Sequence, residues 1–253
     1  MFRLILIGLG LVSLSCASEY GNPPAADFDL EGSDPQAMQI ADEIMDAMGG
    51  RQVYDNTRIL SWTFFDFRHL VWDKQSGDVR IDSPRDSTVY LLNMESGQGR
   101  VRVGSRELAG DSLRMMLDKG KGIWTNDSYW LLLPFKLKDS GVTLKYVRED
   151  TTQGGVASDV LQLTFSNVGL TPHNKYEVWV DKADHLIKQW SFYAKADAEE
   201  ANSTWPWDNY QQIADLLISA DRSDKKGPKN VQIFERVEDS VFSQWLKPSF
   251  IPI

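Results

Sequence analysis

The sequence predicts an α+β protein that is mainly β: a curved antiparallel sheet of about ten or eleven strands, with one amphipathic helix ahead of it and short helices beside it. Three observations lead there. Stretches dense in Trp, Phe, Tyr, Val, Ile and Leu follow one another, separated by Gly, Asn, Asp and Pro. No long helical patterns alternate with them, so the crossover connections of a parallel sheet are missing. Residues 34–48 alone carry a clean helical spacing of apolar side chains.

That first helix is signalled at both ends. Ser33 or Asp34 stands at the cap, Pro35 suits the first helical position, and Gly49-Gly50 ends it. Ala37, Met38, Ala41, Ile44, Met45 and Met48 share one face, with Asp42, Glu43 and Asp46 on the other. A helix this short needs a larger surface to lie on. Residues 59–72 read as one long strand, with Trp62, Phe64 and Leu70 opposite Phe65, Phe67 and Val71. Residues 79–82, 88–93 and 100–103 continue the meander, with turns at Gly77 and at residues 96–99.

A second short helix is expected over residues 111–119, carrying Leu113, Met116 and Leu117 on one face. Strands follow at 123–125 and 129–133, the latter stopped by Pro134. Further strands are expected at 142–147, 160–165, 176–180 and 186–193, the last two joined by the tight turn Asp181-Lys182-Ala183-Asp184. Weaker ones fall at 215–220, 231–235 and 239–245. No internal repeat and no linker divides residues 34–253, which therefore form one domain.

The amino terminus has a different character. Met1-Phe2-Arg3 precedes an apolar run over residues 4–12 and small residues up to Ser15-Cys16. A helix of that length spans only ~15 Å, about half a bilayer core, so residues 1–15 read as a secretory signal and not a membrane span. Cys16, the one cysteine, is the expected lipidation site; an incidental cysteine behind an ordinary cleavage site is the alternative. Acylation there would anchor the chain firmly. Residues 16–33 are polar and acidic with Pro23-Pro24 and read as a tether. The net charge of −9 works against nucleic-acid binding.

Catalytic patterns are absent from the sequence. His69, His173 and His185 have no partner at metal-binding spacing, and no Gly-x-Ser-x-Gly elbow or phosphate-binding glycine loop occurs. Asp66 and Asp73 fall on opposite faces of the expected long strand, and Asp181 with Asp184 lacks the remaining ligands of a calcium loop. No catalytic residue, metal or cofactor is expected. Nine Trp, eleven Phe and eight Tyr are the stronger signal. Strands apolar on both faces imply either a helix or loop over the second face or a concave sheet around an apolar ligand. On the second reading, Met38, Met45, Met48, Met115 and Met116 form an adaptable lid.

The order of signal, amphipathic helix, antiparallel strands and helical interruption resembles the LolA/LolB-type lipoprotein carriers and the wider group of outer-membrane lipoprotein-sorting-like proteins. The stretch 124–134 (WTNDSYWLLLP) and the strand-and-turn Val178-Trp179-Val180-Asp181, followed by Leu186-Ile187, carry the likeness. The resemblance implies an unclosed β-barrel with a helical lid, holding lipid or lipoprotein acyl chains. It also implies a bacterial envelope protein facing the periplasm or the cell surface, anchored to the outer membrane through Cys16. Strand alternation nominates Trp62, Phe64, Tyr90, Leu92, Trp130, Leu132, Leu144, Phe165, Trp179 and Trp190 as cavity-facing. A structural or protein-docking module of the envelope without a cavity, and a hydrolase built on Asp66 or His69, stay open as alternatives.

Overall fold

A computed structural model describes residues 21–166 and 173–251. The leader 1–15 and Cys16 lie outside the described residues. Two large antiparallel sheets share one apolar core and do not close into a barrel. The first is seven-stranded, built from β1 (Ile59–Phe64), β2 (Arg68–Asp73), β3 (Asp78–Ser83), β4 (Thr88–Asn93), β5 (Gly99–Val103) and β6 (Arg106–Glu107). These follow one another as a meander, and β14 (Pro228–Phe234) returns to pair with β1. The second is five-stranded: β7 (Val142–Thr151), β8 (Ala157–Phe165), β9 (Lys175–Asp181), β10 (Ile187–Tyr193) and β11 (Ser203–Pro206). A small hairpin, β12 (Tyr210–Ile213) and β13 (Leu216–Ser219), lies apart from both.

Helix α1 (Pro35–Ala47) matches its expected limits and buries Ala37, Ile40, Ala41, Ile44 and Met45. A one-turn helix α2 (Arg51–Asn56) follows, for which the sequence shows no apolar periodicity. The larger departure is α3 (Gly110–Leu132), one helix of 23 residues where a nine-residue helix and two strands were expected. Its buried positions Leu117, Gly120, Asp127, Ser128, Leu131 and Leu132 recur at three- and four-residue spacing. Two glycines and a run of aromatics masked that period. Gly120 is required by contact: a Cβ there would sit 2.9 Å from Cδ1 of the buried Tyr90 on β4. What resembles a turn is the point where helix and sheet touch.

Residues 59–72 form a hairpin and not a single strand. Phe65 and Asp66 adopt φ of 49° and 57° in its turn, left-handed conformations that are uncommon outside glycine and most costly for the bulky Phe65. Tertiary contacts hold them: Phe65 N–H donates to Gly227 O at 3.2 Å, and Lys229 pairs with Asp66 at 2.7 Å. The turn puts Trp62 directly opposite Leu70, both facing the core. The outer face of β1 and β2 carries Ile59 and Val71, which pack with Val241 and Ile251 of the carboxy-terminal segment. The second apolar face is therefore covered by the chain's own tail.

That tail also corrects the strand expected at 239–245. It is a short helix α4 (Ser240–Ser243) within a strap laid over the seven-stranded sheet. Arg80, fully buried on β3, ties it down by donating to the carbonyls of Val241 (3.1 Å) and Gln244 (2.8 Å) while forking onto Asp82. At the other end of the chain, part of the expected tether is docked. Ala25 donates its backbone N–H to Lys138 just before β7, and Asp29 and Asp34 donate theirs to Val142 and Leu144, so residues 29–34 line the edge of β7. This placement protects an otherwise open sheet edge.

An aromatic cleft between α3 and the five-stranded sheet as candidate functional site

The last turns of α3 present Thr125, Asn126, Tyr129 and Trp130 toward β7, β8 and β9, which supply Val142, Phe165 and Tyr176. Lys136, Asp139 and Ser140, from the connection after α3, complete the rim. The cleft has a volume of about 220 Å³. Its walls are rings in mutual contact: Tyr129 lies 6.0 Å from Phe165 and 5.6 Å from Tyr176, and Phe165 meets Tyr176 edge-on at 5.8 Å. Behind them Trp130 abuts Trp190 at 4.5 Å and Trp205 at 5.0 Å, and Trp190 stacks on Tyr176 at 5.3 Å. Lys136 and Asp139 pair at 2.5 Å on the rim.

Two cations, the half-buried Arg68 and the buried Arg222, fix α3 in this position. Arg68 on β2 forks onto Asp127, both bonds 2.8 Å, and Asp127 is wholly buried. Burial raises the Asp127 carboxyl above its ordinary value, with Arg68 opposing that shift. Arg222 donates to Trp130 O at 2.8 Å and to Ser219 Oγ at 2.9 Å, with its guanidinium 3.6 Å over the Trp207 ring. Burial brings Arg222 down to about 9. Burial likewise raises the hydroxyls of Tyr129 and Tyr176. Tyr176 is bonded by Asn174, whereas the buried Tyr129 hydroxyl has no partner.

The residues nominated from sequence are dispersed by the structure. Trp130 and Phe165 line the cleft, and Trp190 backs it. Trp62, Phe64, Tyr90, Leu92, Leu132 and Leu144 are buried in the core shared by α1, α3 and the sheets. Trp179 is on the opposite face. β9 turns Tyr176, Val178 and Val180 inward, so Trp179 points away, donating to Asp150 at 3.3 Å beneath Arg148. The methionines do not form one lid surface. Met45 and Met48 are core residues, Met38 and Met116 are partly buried against the core, and Met115 is 66% exposed. Tyr129 was missed because residues 129–133 read as a strand with Trp130 and Leu132 inward, and Tyr176 because Trp179 was assigned the inner face of its strand; Val142 shares the face of Leu144 and was not singled out.

Two other constellations have different roles. Ser61 Oγ lies 2.8 Å from His69 Nε2, and Thr63 Oγ1 lies 3.0 Å from Nδ1. Ser61 is fully buried and His69 is 4% exposed, so a substrate has no path to the serine. Burial, then the charges of Lys247 and Arg80, push the imidazole down to about 3. Asp66 is on the hairpin turn with Lys229, and Asp73 is paired with Arg58. Among the described residues, no group of three or more His, Cys, Asp or Glu is placed to hold a metal. A larger hollow of about 710 Å³ exists, but its walls, including Phe234, Val237, Leu246 and Phe250, come from β14 and the tail strap alone. The aromatic cleft is walled by α3, the loop after it and three strands, and it is the better-built site.

The sequence matches no protein-family model and no curated protein. Among solved structures the chain is similar to a DUF1329 family protein from Desulfovibrio piger, at 14% identity over 83% of this chain and 98% of that one, with a TM-score of 0.43. It is similar to a domain described as an outer membrane lipoprotein-sorting protein from Vibrio parahaemolyticus (12%, 82% and 96%, TM-score 0.40). A LolA superfamily protein from Nitrosomonas europaea is similar at 11% identity over 80% and 96%, with a TM-score of 0.32. The class is that of mainly β proteins with unclosed antiparallel sheets and helices on the inner side.

Proposed function

We propose that this protein is a non-enzymatic envelope lipoprotein, anchored through Cys16, that binds a segment of a lipid or lipoprotein acyl chain in the aromatic cleft. The cleft's ring-lined wall, formed by four aromatic side chains and Val142, is the observation that carries this reading. Its size sets the scale of the ligand. At ~30 Å³ per water-sized group, 220 Å³ takes about seven such groups. Seven methylenes at ~0.8 kcal/mol each contribute about 6 kcal/mol before ordering costs. The volume is below the 300–1,000 Å³ usual for small-molecule sites, so the cleft suits part of a chain and not a whole one. A structural or docking module of the envelope is the second reading, favoured by the filled inner faces of both sheets.

A neutral polyene hydrocarbon whose emission rises in apolar surroundings separates the two. Titrated against the chain with Cys16 replaced, it should bind in the micromolar range. Val142→Trp, which fills the cleft, should weaken binding at least tenfold while leaving the far-ultraviolet circular dichroism unchanged. Failure of the unaltered chain to bind, or equal binding by both, would leave the docking module.

A further inference from the structure

The aromatic cleft contains one group that the binding of a plain hydrocarbon leaves unused. The Tyr129 hydroxyl is buried and bonded to nothing. Tyr129 is itself a wall of the cleft, its ring 5.6 Å from Tyr176 and 6.0 Å from Phe165, which line the same space. Other buried polar atoms also lack partners, among them the indole nitrogens of Trp62, Trp190 and Trp207. None of those residues lines the cleft. The neighbouring Tyr176 hydroxyl is already engaged by Asn174. A buried donor without an acceptor is a cost to the folded protein, and phenylalanine would fill the same space without it.

We infer that the ligand segment held in this cleft carries a hydrogen-bond acceptor, an ester or similar uncharged carbonyl, that accepts a hydrogen bond from the Tyr129 hydroxyl. The inference rests on the binding role proposed above and narrows it to the acyl–ester portion of a lipid instead of a chain terminus. The rim fits that choice. Lys136 and Asp139 neutralise each other, leaving no free charge to select a fatty-acid carboxylate, while Asn126, Thr125 and Ser140 are uncharged. The apolar walls take the methylenes next to the carbonyl.

Methyl octanoate and decane, equal in the number of chain atoms, test this by displacing the polyene probe. The unaltered chain should bind the ester about five- to tenfold more tightly than the alkane, the value of one neutral hydrogen bond. Tyr129→Phe should abolish that preference, holding both compounds as the unaltered chain holds decane. Its melting temperature in the absence of ligand should be unchanged or higher, since the lost hydroxyl bonds to nothing. Equal affinity of the unaltered chain for the two compounds, or a preference that survives Tyr129→Phe, overturns the inference while leaving acyl-chain binding intact. Absence of displacement by either compound removes the inference together with the reading beneath it.

Discussion

The two large sheets meet the same helix on different terms. Where α3 crosses the seven-stranded sheet, Gly120 lets backbone and Tyr90 come into contact, and Leu117 packs by Gly99. Where its last turns face the five-stranded sheet, Tyr129 and Trp130 hold the helix off on wide rings, and the cleft opens between them. The outer faces differ as well. The seven-stranded sheet is covered by the carboxy-terminal strap, whereas the five-stranded sheet covers itself with flat side chains, Arg148 over Trp179 and Lys175 over Tyr193. One sheet is sealed on both sides and serves as the frame. The other retains the space. Residue size along a single helix decides which is which.

This contrast is open to attack from the frame side, and the largest effect is expected at Arg80. Arg80→Ala leaves Asp82 without its buried partner and frees the strap carbonyls, so it should cost about 3–5 kcal/mol. Hydrogen exchange at residues 241–245 should rise in parallel. A loss below about 1 kcal/mol, with those amides still protected, would mean the strap is held by something else.

The next effect tests the sealed contact. Gly120→Val places methyl groups against the Tyr90 ring and should destabilise by about 1–3 kcal/mol in urea unfolding. Helix propensity alone favours replacing glycine by a few tenths of a kcal/mol, so a net loss reports the contact. A neutral or stabilising result would show that helix and sheet are free to separate there, and the two halves of α3 would no longer differ.

The pattern of these contacts also explains what the sequence reveals and what it hides. Helix α1 is legible because its cap, its apolar face and its terminal glycines agree. Strands such as β4 and β10 are legible because branched and aromatic residues are dense in them and turn residues bound them. Helix α3 was hidden because its glycines serve close packing and its Trp and Tyr residues serve the cleft, both at the expense of helical signals. The hairpin turn at Phe65-Asp66 was hidden because it lacks Gly or Asn and is imposed by Gly227, Lys229 and the ring of Trp130. Alternation nominated Trp130 on a strand that is in fact the end of α3, and it placed Trp179 on the wrong face of β9. The side on which a strand meets a helix is set by packing partners far away in the chain.

The smallest of the frame effects is a pH dependence. The unfolded imidazole of His69 takes up a proton near its ordinary 6.5, while the buried one resists until about 3. Between those values the unfolded state binds more protons, so stability falls as pH drops from about 6.5, by up to about 1.4 kcal/mol per unit. Over the range from pH 6.5 to 5, where few carboxylates titrate, His69→Gln should flatten the slope of unfolding free energy against pH. An unchanged slope would show that the imidazole is accessible and the strap does not seal that face.

The space beside α3, and not the larger hollow in the tail, is proposed to receive the ligand. A crystal of the chain grown with a brominated fatty-acid methyl ester tests it by the position of the anomalous signal. A bromine peak is expected among Tyr129, Phe165 and Tyr176 or at the mouth they form. A peak confined to the hollow by Leu246 and Phe250, or density showing the ring cage closed on itself, would contradict it.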